Sequence, residues 1–214
     1  MLAKHGVTPS LGHTEASSQL AAASLFEAAG LLASSRPTVT HLYNGVPSLH
    51  QRNPGPAAAS LPLAAAGVVA VELIADGEHL APETVLMTFE LVGRENIVLV
   101  TDSMAATGLP DGCYELGPAA VKVQGAVARL KSNNALAGGT STLLDVLRRT
   151  TDAGVRPEDA VLLSATAVPA QIIGRQDEIG SIRPGLRADV LVVDRNFERH
   201  LVLRNGQVLP PPSR

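Results

Sequence analysis

Short apolar runs separated by longer, more polar stretches set the rhythm of the chain, and they predict alternating strands and helices. Residues 6–12 (GVTPSLG) read as a short buried strand, weakened by Pro9 and ending at His13. Residues 15–29 are Ala-rich with apolar positions at helical spacing, and Gly30 stops them. A second strand, 38–42 (TVTHL), is β-branched and carries His41, and a Gly/Pro-rich loop follows it. Residues 57–66 predict a helix interrupted by Pro62. Residues 68–74 form a near-continuous apolar strand ending in ADGEH, 81–92 a helix with Pro82 in its first turn, and 97–100 a fully apolar strand ending in Thr101-Asp102. Apolar strands that do not alternate with polar positions are buried on both faces, as in a parallel sheet covered by helices.

Beyond residue 113 the pattern changes. Residues 117–137 read as a β-rich excursion, and Gly138-Gly139 leads into a helix from about residue 142, where Thr142 and Asp145 have capping-box spacing. A further helix is predicted over 157–168. From Gly180 onward the chain is β-rich, with Pro184-Gly185 and Asn205-Gly206 as turn signals. The expected fold is α/β, a partial (β/α) TIM-type barrel containing the later strands, followed by the C-terminal β-strands of a small sandwich. The corresponding domains are 1–178, with the β-rich insertion near 113–137, and 179–214.

The polar chemistry collects at one place in this pattern. His13, His41, His79 and Asp102 each lie at or just beyond the C-terminal end of a predicted strand. In a βα barrel those ends converge on the face that holds the active site. His13 and His41, 28 residues apart on successive strands, can share one divalent ion, zinc first among candidates for a mixed His/carboxylate site. The competing role for each is a hydrogen-bonded structural histidine. Asp102 can exchange a proton with a metal-activated water, or it can serve as a loop or N-cap aspartate. His79 can donate to a developing oxyanion or lie on a surface loop. Arg52 offers the planar fork that suits phosphate, although a solvated loop arginine reads the same way. The LAGGTST segment, with Leu136 and Gly138, presents backbone amides at a helix start, where anionic or polar groups can bind.

Composition narrows the classes. Hydrophobic residues are 45%, charged residues 17% and aromatics 2%, with no Trp, so an aliphatic globular core is expected. The net charge of −3 carries no nucleic-acid footprint. The most apolar segment, 61–74, contains Pro62 and Glu72 and is too short to span a bilayer. One cysteine, Cys113, makes no internal disulfide, which fits a reducing cytoplasm.

The runs GHTEA, THLYNGVPSLHQRNPG, ADGEH, VLVTDSMAATG, LAGGTSTLLD and GSIRPGLRADVLVVD, in that order, resemble the N-acetylglucosamine-6-phosphate deacetylase family of the amidohydrolase superfamily. The resemblance covers nearly the whole chain. It implies hydrolysis of the N-acetyl group of an amino-sugar 6-phosphate, giving glucosamine 6-phosphate and acetate. His13 and His41 would hold the divalent ion (zinc, with iron, cobalt and manganese as alternatives) and Asp102 would be the general acid/base. His79, Asn44, Gly45, Leu136 and Gly138 would contact substrate, and Arg52 its phosphate, reaching the neighbouring subunit of a homodimer. The family also carries a glutamate ligand in a His-Leu-Glu-Gly-Pro-like motif upstream of GHTEA, and no such motif occurs in this sequence. The resemblance therefore places the early strands and that ligand outside these 214 residues. The alternative expectation is a non-catalytic remnant or interaction module that keeps the sugar-phosphate pocket.

Overall fold

The computed structural model describes residues 2–32, 35–125 and 127–210. Its centre is a four-stranded parallel sheet of β1 (Ser10–Leu11), β2 (Thr38–Val39), β3 (Ala70–Leu73) and β4 (Ile97–Leu99), paired in the order of the sequence. Helices α1 (Ser18–Gly30), α2 (Gly55–Ala65) and α3 (Pro82–Val92) make the crossovers. Register pairs Leu11 with Val39, Val39 with Val71, Val71 with Ile97 and Leu73 with Leu99. One face of the sheet is thereby aliphatic. It packs on Leu25, Leu63, Val85, Phe89 and Val146 from the helices, the non-directional burial that contributes most to folding.

The opposite face is mixed. Ala70 and Val98 pack on Val168, while Thr38 Oγ1 lies 3.0 Å from Glu72 Oε1 and 2.6 Å from Ser10 Oγ. A carboxylate in the middle of β3 is thus hydrogen-bonded across the strands rather than left unpaired.

The predicted strand over 6–12 is shorter in the structure, only Ser10–Leu11, since Pro9 has no N–H to give a ladder. The predicted break at Pro62 does not occur: α2 runs through it. Pro56, close to the start of α2, needs no intrahelical partner there. The helix predicted over 157–168 is a π-helical stretch, Asp159–Ala167, continued by α5 (Val168–Ile172). Before it stands α4 (Leu143–Asp152).

Two antiparallel sheets flank this unit. β5 (Gly112–Leu116), β6 (Ala119–Gln124) and β7 (Val127–Leu130) form the β-rich insertion. It begins at Gly112 and packs Val121, Val123 and Ala128 on Met104 and Ala106 in the loop after β4. β8 (Val190–Val193), β9 (Arg199–Arg204) and β10 (Gln207–Val208) form the C-terminal sheet. Asn205 and Gly206 join β9 to β10 with φ of 51° and 77°, the two left-handed residues of a type I′ hairpin. The C-terminal sheet docks through Phe197, 7% exposed in the main core, and through Arg148, which donates to Asn196 O and Glu198 Oε1.

Candidate active site

His13 and His41 follow the ends of adjacent parallel strands by two residues each, and their side chains meet. The Nε2 atoms are 2.9 Å apart and the rings are edge-on, with centroids 4.7 Å apart. His41 is 6% exposed, and its Nδ1 is buried with no hydrogen-bond partner among the described residues. Neither imidazole reaches this position on ordinary strand geometry: φ is 45° at His13 and 32° at His41. Asn44 holds the second turn, its N–H and Nδ2 donating to His41 O and Nδ2 also to Leu42 O. Gly45 makes room for the pair. Its φ is 63°, and a Cβ there would stand 2.7 Å from His13 Nδ1.

Asp102 lies three residues beyond β4, exposed, also at positive φ (49°). Its backbone is pinned by the double glycine: Gly139 N–H donates to Asp102 O at 2.7 Å and Met104 N–H to Gly139 O at 2.9 Å. A Cβ on Gly139 would lie 2.0 Å from Thr101 O, so only glycine permits this approach. Gly138, at φ 87°, lies against the same turn. No hydrogen bond joins Asp102 to His13, His41 or His79 among the described residues.

His79 belongs to a separate cluster. Its Nδ1 is 2.9 Å from Asp76 Oδ2, and Asp76 Oδ1 accepts from the N–H groups of Glu78 and His79. Burial pushes the Asp76 carboxyl up, but the bonds from the His79 side chain and from the two backbone amides outweigh it and hold the group below the ordinary carboxylate range. His79 borders a cavity of about 250 Å³ together with Tyr43, Leu49, Leu80 and Thr84. Tyr43 OH lies 2.9 Å from Thr88 Oγ1, and burial raises its phenol above the usual value against the effect of that bond.

Arg52 is exposed on the loop after β2, with no ion-pair partner among the described residues. Leu136 is half-buried and bridges to Arg129. At the start of α4 the capping box expected from Thr142 and Asp145 is formed: Asp145 Oδ2 accepts from the N–H and Oγ1 of Thr142, and Thr142 Oγ1 accepts from Asp145 N–H.

Asp76 and Gly139 were not singled out from the sequence. Asp76 stands three residues beyond β3 as Asp102 stands three beyond β4, so the strand-end criterion that selected Asp102 selects it too. For Gly139 the doublet itself was the signal.

The donor chemistry can be tested against a divalent ion. Two imidazoles bound to tetrahedral zinc at about 2.0–2.1 Å hold their nitrogens about 3.3 Å apart. The observed 2.9 Å therefore needs only a slight opening. The pair fits two of the three protein ligands of a catalytic zinc site, and no group of three or more His, Cys, Asp or Glu is placed for a metal among the described residues.

The fold is a parallel α/β sheet with histidines and aspartates at its strand ends, and comparison with known proteins gives the family. The model of the amidohydrolase family matches residues 64–209, and the chain belongs to that family. It is 35% identical to the N-acetylgalactosamine-6-phosphate deacetylase of Escherichia coli O157:H7 over 97% of its own length and 52% of that protein. It is 37% identical to the putative N-acetylgalactosamine-6-phosphate deacetylase of Escherichia coli K12, over 78% and 98%. Among solved structures, an Asp→Ala variant of the N-acetyl-D-glucosamine-6-phosphate deacetylase of Mycobacterium smegmatis, in complex with N-acetyl-D-glucosamine-6-phosphate, superposes with a TM-score of 0.81 at 36% identity. That match covers 95% of this chain and 51% of that one. The N-acetylglucosamine-6-phosphate deacetylase of Thermotoga maritima gives 0.85 at 30% identity, over 97% and 54%. The chain thus spans about half the length of the first of these relatives and of both structures. No described helix is long and apolar enough to cross a membrane.

Proposed function

We propose that this chain carries the strand-end chemistry of a cytoplasmic deacetylase that hydrolyses the acetamide of N-acetylglucosamine 6-phosphate to glucosamine 6-phosphate and acetate. The observation that carries the reading is the meeting of His13 and His41 Nε2 at 2.9 Å from adjacent parallel strands. The consecutive strand order β1 to β4 is compatible with later strands of a TIM-type barrel, with 1–178 as that domain and 179–214 as strands of a small sandwich.

His13 and His41 would hold one divalent ion, zinc first. When bound, the ion polarises the acetamide carbonyl and acidifies water. Asp102, exposed and held by Gly139, takes the proton of the attacking water and returns it to the departing amine. His79 is oriented by Asp76 through Nδ1, which leaves Nε2 for the substrate side. From Nε2 it donates to the carbonyl oxygen as charge develops there. Asn44 and Gly45 line the substrate near the metal pair, with Leu136 and Gly138 on the Asp102 side. Arg52, exposed and with no ion-pair partner among the described residues, meets the 6-phosphate, and in a homodimer it would serve the neighbouring site.

The test is acetate release from N-acetylglucosamine 6-phosphate by the purified, zinc-loaded chain, with the galactosamine epimer and unphosphorylated N-acetylglucosamine alongside. Turnover abolished by Asp102→Asn and by His41→Ala, with both variants folded, is the expected result. No release from any of the three substrates by a chain that holds zinc stoichiometrically would sink the reading.

A further inference from the structure

We propose that the outer face of the β-rich insertion is an anion site for a small phosphate monoester, separate from the acetamide chemistry. A groove of about 510 Å³ crosses β6 and β7 and is bordered by Lys122, Arg129, Lys131, Asn134 and Glu78. That volume is the size of a small-molecule site.

Lys122 and Arg129 are directly opposite each other in the register of β6 and β7, so their side chains leave the same face. Like charges in directly opposed positions destabilise a sheet. Lys131, at the end of β7, adds a third cation. The chain as a whole is net negative, so this clustering runs against its overall sign. Glu78 is the carboxylate in the groove lining, with Oε2 3.9 Å from Arg129 Nη2, too long for a hydrogen bond, and Glu115 of β5 stands on the same face, diagonal to Lys122. Lys122 and Lys131 have no ion-pair partner among the described residues. Arg129 is already aimed, with Nη1 donating to Asn134 O at 3.1 Å.

A guanidinium fork flanked by two ammonium groups matches the three oxygens and double charge of a phosphate monoester. Such an anion would relieve the Lys122–Arg129 repulsion and take Arg129 from Glu78. Glu78 N–H bonds Asp76, the residue that orients His79, so the groove adjoins the turn that carries that histidine.

The metal-free chain decides this without any turnover, which keeps the outcome independent of the deacetylase reading. Inorganic phosphate, glucosamine 6-phosphate and glucosamine are titrated calorimetrically against wild type, Lys122→Gln/Lys131→Gln and Lys4→Gln, a control at an exposed lysine far along the chain. Both phosphates are expected to bind wild type and Lys4→Gln, with affinity falling as salt rises. The double variant is expected to bind them about tenfold more weakly or worse. A loss of affinity in the double variant that is larger for the sugar phosphate than for inorganic phosphate identifies a phosphorylated sugar as the occupant, and equal losses identify the bare phosphate group. Without phosphate the double variant should melt at or above wild type, because a repulsion has been removed. Added phosphate should raise the melting temperature of wild type more than that of the variant. No phosphate binding by wild type, equal binding by the double variant, or glucosamine binding as well as its phosphate would each overturn the site.

Discussion

At His13, His41 and Asp102 the backbone is left-handed, a conformation that costs a non-glycine residue on the order of 1–3 kcal/mol and persists only where neighbours enforce it. The enforcing contacts are local: the Asn44 bonds under His41 and the Gly139 bonds at Asp102. This strain was not legible in the sequence, because His and Asp give no glycine-like signal for positive φ. Gly45 tests how tightly the imidazole pair is held. Gly45→Ala puts a methyl 2.7 Å from His13 Nδ1 at φ 63°, so it should destabilise the chain by about 1–3 kcal/mol and weaken zinc binding. Urea unfolding and a zinc titration check this; wild-type behaviour in both would show that the ring moves freely. Asp76 allows a pH test. Its folded-state pKa lies below the unfolded value of 3.8, so its ionised form stabilises the fold above that value and the contribution is lost as pH falls through the folded pKa. Asp76→Asn should therefore be less stable than wild type at pH 7, with the difference shrinking as pH drops below about 4. A difference that stays constant between pH 7 and pH 3 would show that the carboxylate charge is not what holds His79.

Among the elements, α4 was the most readable from sequence, since a capping box is a covalently local pattern that tertiary context rarely overrides. Thr142→Ala removes the acceptor for Asp145 N–H and should cost about 1 kcal/mol, measured as a shift in the urea midpoint without a change in slope. An unchanged midpoint would mean that packing of Val146 and Leu147 alone fixes the helix start. The apolar strands 68–74 and 97–100 were equally plain, because a strand buried on both faces has almost no alternative environment. Elements set by distant contacts were not readable. Pro62 does not break α2, because burial of Ala57, Ser60, Leu63 and Ala64 outweighs a lost backbone bond. The π-helical turn widths over Asp159–Ala167 have no counterpart in side-chain periodicity. His13 and His41 were readable as a pair because consecutive parallel strands place equivalent positions side by side. His79 was grouped with them from the sequence, yet its bonds are to Asp76, since the turn after β3 runs several residues before reaching it.

For the whole molecule, the proposed metal pair would link chemistry to stability. An ion held by His13 and His41 would tie β1 to β2 at their C-terminal ends, and it would bind a geometry that the unfolded chain does not contain. Ligand held only by the native state adds about 2.7 kcal/mol at one hundred times its dissociation constant. In a domain of this length each kcal/mol moves the melting temperature by about 2–4 °C. Zinc at that excess should therefore raise the melting point of the chain by roughly 5–11 °C. The same zinc should leave the His13→Ala/His41→Ala variant unmoved. Calorimetric melting at matched zinc excess separates the outcomes. A shift confined to chains with both imidazoles means that the ion sits between them. An equal shift in the double variant would place zinc elsewhere on the molecule, and the strand-end pair would then be an ordinary hydrogen bond between buried His41 and exposed His13.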